Sequence, residues 1–167
     1  MIIPININHK KDNQMKKLLI ILVVLGVLTS SLYAPNKTIK GRVIDNTLET
    51  LAYIPIMIND TVKVGKTDIN GFFHIEIPVS VKKISFNGIG MELAIIEIAD
   101  KCDEVEVVML LSGTYDFITF RKIDKLRMKE FKKLPEIHKK AFEKGIFKTD
   151  EACYTQEFIP RYPKKQK

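Results

Sequence analysis

The feature that most constrains this chain is a two-residue hydrophobic period running, with interruptions, from Thr38 to Leu111. "TIKGRVI" sets Ile39 and Val43 against Lys40 and Arg42. "IPIMIND" puts Ile54, Ile56 and Ile58 in one row, and "FFHIEIP" puts Phe73, Ile75 and Ile77 opposite His74 and Glu76. "KKISF" pairs Ile84 with Phe86, and "VEVVMLL" aligns Val105, Val107, Met109 and Leu111. "ELAIIEI" is apolar on both rows, as a central strand is. Side chains of a strand point alternately to opposite faces, so each segment can bury one row and wet the other. Between the segments stand turn-forming residues: Asp45-Asn46, Asn59-Asp60, Asn70-Gly71, Asn87-Gly88, and Asp100 to Asp103. No helical period intervenes, which argues against βαβ units and a parallel sheet. Six or seven short strands at this spacing predict a mainly β fold, an antiparallel seven-strand-type β-sandwich over residues 35–112.

The flanks read differently. Lys16 and Lys17 precede an unbroken apolar run from Leu18 to Leu28, and Thr29, Ser30, Ser31 and Ala34 follow. A basic start, a short apolar core and a small-residue exit are the parts of a secretory signal peptide, read here as a signal helix within residues 1–34. Met15 stands where such a peptide begins, so the first fourteen residues read as an upstream start-site extension. The apolar run is shorter than the ~20 residues a bilayer-spanning helix needs. Export to the periplasm or outer membrane is the expectation; an inner-membrane anchor through an uncleaved signal is the alternative.

After Ser112 the period changes. In "YDFITFRKIDKLRMKEFKKL" the apolar residues Phe120, Ile123, Leu126, Phe131 and Leu134 fall mostly at helical spacing. Pro135 suits the first turn of a second helix and Gly145 its C-terminal cap. Residues 113–167 are therefore expected to add short α-helices whose apolar stripe packs on the sandwich. The net charge of +7 is unevenly spread: +3 in residues 1–34, −3 in residues 35–112 and +7 in residues 113–167. The basic extension offers Arg121, Lys122, Lys125, Arg127, Lys132 and Lys133 as contacts for an acidic partner or, peripherally, an anionic membrane surface. Nucleic acid is a poor fit for an exported chain.

"TDINGFF", residues 67–73, poses a choice between a calcium loop and a strand-to-strand turn. A calcium loop needs ligands at alternating positions closed by a bidentate acid. Asp68 and Asn70 begin such a pattern, but Phe72 falls on the next ligand position and no acid closes the run. A turn needs only Asn70-Gly71 at its tip, with Thr67 and Asp68 bonding the loop backbone. The turn is the expectation. His9, His74 and His138 share no ligand spacing, and no Gly-x-Ser-x-Gly elbow or phosphate loop occurs. Neither a cofactor, a metal nor catalysis is expected. Cys102 and Cys153 can form one internal disulfide or stay free thiols; spacing does not decide between them.

The strand segments, taken in order, resemble the carboxypeptidase-regulatory-like domain. Gly41, Val43 and Asp45 close the first strand; Leu51 leads into the second. Thr67, Asp68, Gly71 and Phe73 match a Thr-Asp-x-x-Gly-x-Phe hairpin, and Phe86, Gly90 and Met91 match a later strand and its exit. The resemblance covers about residues 38–111. It implies a transthyretin-like (prealbumin-like) β-sandwich in an envelope protein of the kind found in some Gram-negative bacteria, and it implies no peptidase activity. A non-catalytic binding or assembly module of an outer-membrane transport or surface complex is the functional expectation. A purely structural envelope protein is the alternative. Neither the partner nor the oligomeric state is written in the sequence.

Overall fold

A computed structural model describes residues 16–20 and 35–161. Residues 16–20 form a helical stretch with Leu18, Leu19 and Ile20 exposed; the rest of the expected signal peptide lies outside the described residues. Among the described residues no helix is long and apolar enough to cross a membrane. Among the described residues, 36–161 belong to one compact unit.

That unit contains eight strands: β1 (Asn36–Asp45), β2 (Pro55–Ile58), β3 (Val62–Lys66), β4 (Phe72–Pro78), β5 (Lys83–Phe86), β6 (Ala94–Ile98), β7 (Glu104–Met109) and β8 (Tyr154–Glu157). Helices α1 (Phe120–Phe131) and α2 (Leu134–Glu143) stand between β7 and β8. One sheet has the order β4-β1-β7, the other β3-β2-β5-β6-β8. The apolar rows face inward as the two-residue period requires. Ile39, Val43, Ile56, Phe73, Ile75, Ile77, Ile84, Phe86, Ile96, Val105, Val107 and Met109 share one core, and Phe73 meets Phe86 edge-on at 5.5 Å between ring centres.

Three features depart from the sequence expectation. First, the sandwich is not wholly antiparallel. β1 pairs antiparallel with β4 but parallel with β7, in the register Gly41–Val105 and Val43–Val107. A parallel pair needs a long crossover, and here the strands β2 to β6 supply it, so the absence of a βα unit did not exclude it. Second, the extension contributes a strand. β8 closes the larger sheet antiparallel to β6, so the strands number eight and residue 112 is no structural boundary. Third, "TDINGFF" does not close a hairpin, because β3 and β4 belong to different sheets. The turn is a corner. Asp68 Oδ1 accepts the N–H groups of Asn70 and Phe72, both at 2.8 Å. Gly71 sits at φ +77°, and its carbonyl accepts the Val43 N–H at 2.8 Å. Thr67, fully buried, donates its hydroxyl to the Leu51 carbonyl and accepts the Ile54 N–H. Carboxylate and hydroxyl are spent on the backbone at the point where the chain changes sheets.

The extension packs on the outer face of the three-stranded sheet. Ile44, Val108 and Leu110, the outward row of β1 and β7, join Leu134, Ala141 and Phe147 in a second core, flanked by Phe131 and Ile137. β7 is therefore buried on both faces. The expected helical stripe is only partly used: Ile123 and Leu134 are buried, whereas Phe120 and Leu126 are exposed. α2 carries Pro135 in its first turn. It ends with Gly145 at φ +70°, the Gly145 N–H on the Phe142 carbonyl and the Ile146 N–H on the Ala141 carbonyl. That pairing is a Schellman C-cap, which satisfies the last carbonyls and turns the chain back toward the sheet.

Candidate functional site

The extension is fastened to the sandwich by contacts that local sequence patterns do not settle, and a groove lies beside it. Cys102 and Cys153 are joined by a disulfide with Cα atoms 5.9 Å apart. It ties the β6–β7 connection to the residue preceding β8. Glu106, on the outward row of β7, is buried beneath the extension. Its carboxylate accepts the backbone N–H groups of Lys148 (2.7 Å) and Thr149 (3.1 Å) and the Thr149 hydroxyl (3.0 Å). Arg42, on β1, donates to the Ile146 carbonyl at 3.1 Å and lies over the Phe72 ring. Alternation marks Glu106 and Arg42 as solvent-facing, yet the extension supplies a second layer over them.

A third fastening centres on Arg127. Sequence reading offers Arg127 as a free surface cation; it is instead 8 % exposed. It donates to Glu92 (2.5 Å), Asp124 (2.9 Å) and the Ile159 carbonyl (2.9 Å), and its guanidinium lies over the Phe158 ring. Burial works against its charge, but the hydrogen bonds and charges of Glu92 and Asp124 outweigh burial and hold its pKa above the ordinary value. Arg161 adds bonds to Glu92, Ser112 and, through its backbone N–H, Asp124. The pattern is charge compensation around a buried guanidinium, with few donors or acceptors left for a ligand. It fixes α1 and the strand-exit residues after β8 against the sandwich. Arg121, Lys122, Lys125, Lys132 and Lys133 do stand exposed. Lys133 pairs with Glu130 at 2.8 Å.

Between α1, α2 and β8 lies a groove of about 1040 Å³, lined by Val108, Met128, Phe131, Leu134, Pro135, Tyr154 and Gln156, among others. Its rim carries Lys132 and Lys139 on the helical side and Asp150 and Glu151 on the other. β8 is an edge strand, and its edge faces this groove. The direction of its backbone groups follows from the ladder. The Ala99 N–H bonds the Cys153 carbonyl, so Thr155 and Glu157 bond β6 in turn. Tyr154 and Gln156 then direct their N–H and C=O groups away from the sheet, and among the described residues nothing bonds them. The half-buried Tyr154 ring packs against the core and its hydroxyl donates to the Glu106 carbonyl at 3.0 Å. Burial pushes its pKa up.

His138 also lines the groove. It is 3 % exposed and packs on the Phe147 ring at 4.8 Å. Neither ring nitrogen has a hydrogen-bond partner, although the Thr149 backbone lies close by. Burial lowers its pKa, against the opposing pull of Glu106, the Thr149 backbone and Asp150. The imidazole is thus held neutral, with one donor and one acceptor unused. Its place was legible in principle: Leu134, Ile137, His138 and Ala141 fall at i, i+3, i+4 and i+7 on α2.

Among the described residues, no group of three His, Cys, Asp or Glu side chains converges as a metal site. No protein-family model matches this chain, and neither does any curated protein.

Proposed function

We propose that this chain is a non-catalytic binding or assembly module of the cell envelope, and that its groove takes an extended segment of a partner protein by adding it as a strand to β8. The observation that carries this reading is the open edge of β8. Tyr154 and Gln156 present outward N–H and C=O groups beside an apolar wall formed by Met128, Phe131 and Leu134. Strand addition satisfies such groups directly, and pockets beside the edge select the alternating side chains. The buried, unpartnered His138 gives one such pocket a polar contact, and the oppositely charged rims favour a segment carrying both signs. The leader-like pattern of residues 1–34, the disulfide and the likeness of residues 38–111 to the carboxypeptidase-regulatory-like domain support the envelope setting.

The binding half of the proposal is tested by panning a phage-displayed random-peptide library on the immobilised full chain. Enriched peptides are expected to alternate apolar residues. Their binding should fall about tenfold in Gln156→Pro, which removes an outward N–H without touching the β6 ladder, and in Met128→Glu, which charges the apolar wall. No enrichment, or peptides indifferent to both changes, overturns it. The envelope half is tested by intact mass of the protein recovered from its host. Loss of the first 31 to 34 residues supports export, and an intact Met1 or Met15 start overturns cleavage.

A further inference from the structure

A different surface carries a second, independent inference. The buried side of α1 is set by Ile123 and Arg127. At about 100° per residue, Arg121, Lys122, Lys125, Lys129 and Lys132 all fall within about 100° of one another on the opposite side. All five are exposed, no acidic residue interrupts their sector, and none is engaged in an ion pair among the described residues. Asp124 and Glu130, the acids of this helix, are engaged with Arg127 and Lys133 instead. Phe120, 63 % exposed in the first turn, falls on the Arg127 side of the helix. One large apolar side chain of the helix, Leu126, borders the cationic face and is 41 % exposed, and Phe117, three residues before the helix, stands wholly in water at φ +60°. An aromatic ring seldom takes that backbone conformation, and here it points into solvent rather than toward the core.

We infer that this face of α1, with Leu126 at its border and Phe117 ahead of it in the chain, docks on an anionic lipid surface. Cations alone would suit any polyanion. The exposed Phe117 ring and Leu126 add the contact that a bilayer rewards and a phosphate backbone does not: apolar side chains enter the headgroup boundary while the lysine and arginine heads stay at the charged plane. Such a patch on a protein otherwise well packed marks an interaction surface. Each cation contributes about fivefold in affinity for an anionic membrane surface.

The chain contains no tryptophan, which makes a position-specific reporter available in the full-length protein. Phe117→Trp is expected to shift its emission to the blue, and to become shielded from an aqueous quencher, on addition of vesicles containing phosphatidylglycerol. Vesicles of phosphatidylcholine alone should leave it unchanged, and high salt should reverse the shift. Val62→Trp, on β3 at the far edge of the larger sheet from β8, should not respond. The leader is common to both reporters, so a response confined to position 117 belongs to this face. Adding Arg121→Glu, Lys125→Glu and Lys129→Glu to the reporter should weaken the response by a factor on the order of 100 or more, with an unchanged melting temperature showing the fold intact. No shift at position 117, an equal shift with neutral vesicles, insensitivity to charge reversal, or a shift elicited by duplex DNA but not by vesicles would each overturn the inference.

Discussion

Gly41 occupies a point in β1 where the fold has no room for a side chain. A Cβ there would lie 1.8 Å from the Val105 carbonyl oxygen and 2.9 Å from the Phe73 ring. The obstacle is the backbone of the parallel partner strand, which cannot move without breaking the β1–β7 ladder. Gly41→Ala is expected to cost about 3 kcal/mol or more, read as a fall in the urea midpoint. His138 makes a pH-dependent prediction. Burial lowers its folded pKa below that of the unfolded chain, while Glu106 and Asp150 nearby pull the other way. Stability from the neutral imidazole is therefore complete above an unfolded value of about 6.5 and declines as pH falls below it, because the unfolded chain binds the proton first. A plot of unfolding free energy against pH should bend downward below that point, and His138→Leu should flatten the bend. Identical profiles for the two proteins would remove His138 as its source. Gly41 was visible in the sequence as a glycine inside a strand. Glu106 and Arg127 were not recognisable as buried, because charged residues at outward positions are normally solvated.

At the scale of elements, the extension is an integral part of the sandwich, and its fastenings differ in strength. The Cys102–Cys153 link closes a loop across a sequence separation of 51. In the chain-entropy account, opening a loop of that size costs about 4 kcal/mol. Replacing both cysteines by alanine should lower the unfolding free energy by an amount of that order, as should reducing agent applied to the native chain. A change below about 1 kcal/mol would show the other fastenings to be sufficient. The Arg127 cluster is a buried charge network, so removing its centre takes from Glu92 and Asp124 their buried guanidinium and leaves them their Arg161 bonds. Arg127→Ala is expected to destabilise by about 3 kcal/mol. Lys133→Ala, which removes only the exposed partner of Glu130, should change stability by less than about 0.5 kcal/mol. Equal effects in thermal melts would contradict the assignment of Arg127 as internal. The helices themselves were legible from period, Pro135 and Gly145. β8 was not: "YTQE" is short, polar and unalternating, and it becomes a strand because β6 offers it an open edge.

At the scale of the whole molecule, the sandwich and the extension fold as one unit with two cores separated by the three-stranded sheet. Ending the chain after Ser112 would bare Ile44, Val108 and Leu110 and leave Glu106 without its three donors. The truncated protein should aggregate or lose its dispersed amide spectrum, measured by size-exclusion chromatography and NMR; a soluble, well-dispersed monomer would show the extension to be dispensable. For that reason the surfaces proposed here are better probed by point changes than by deletion. The sequence by itself determined the apolar rows of six strands, the turn chemistry of Asp68 and Gly71, and two helices with their cap, because each is set by alternation or backbone geometry over a few neighbouring residues. Tertiary structure decided the parallel β1–β7 pair, the eighth strand, the burial of Glu106, Arg127 and His138, and the groove that His138 lines. Those depend on which distant segments cover one another, and the energy of a charged or polar side chain is fixed by what covers it rather than by its neighbours along the chain.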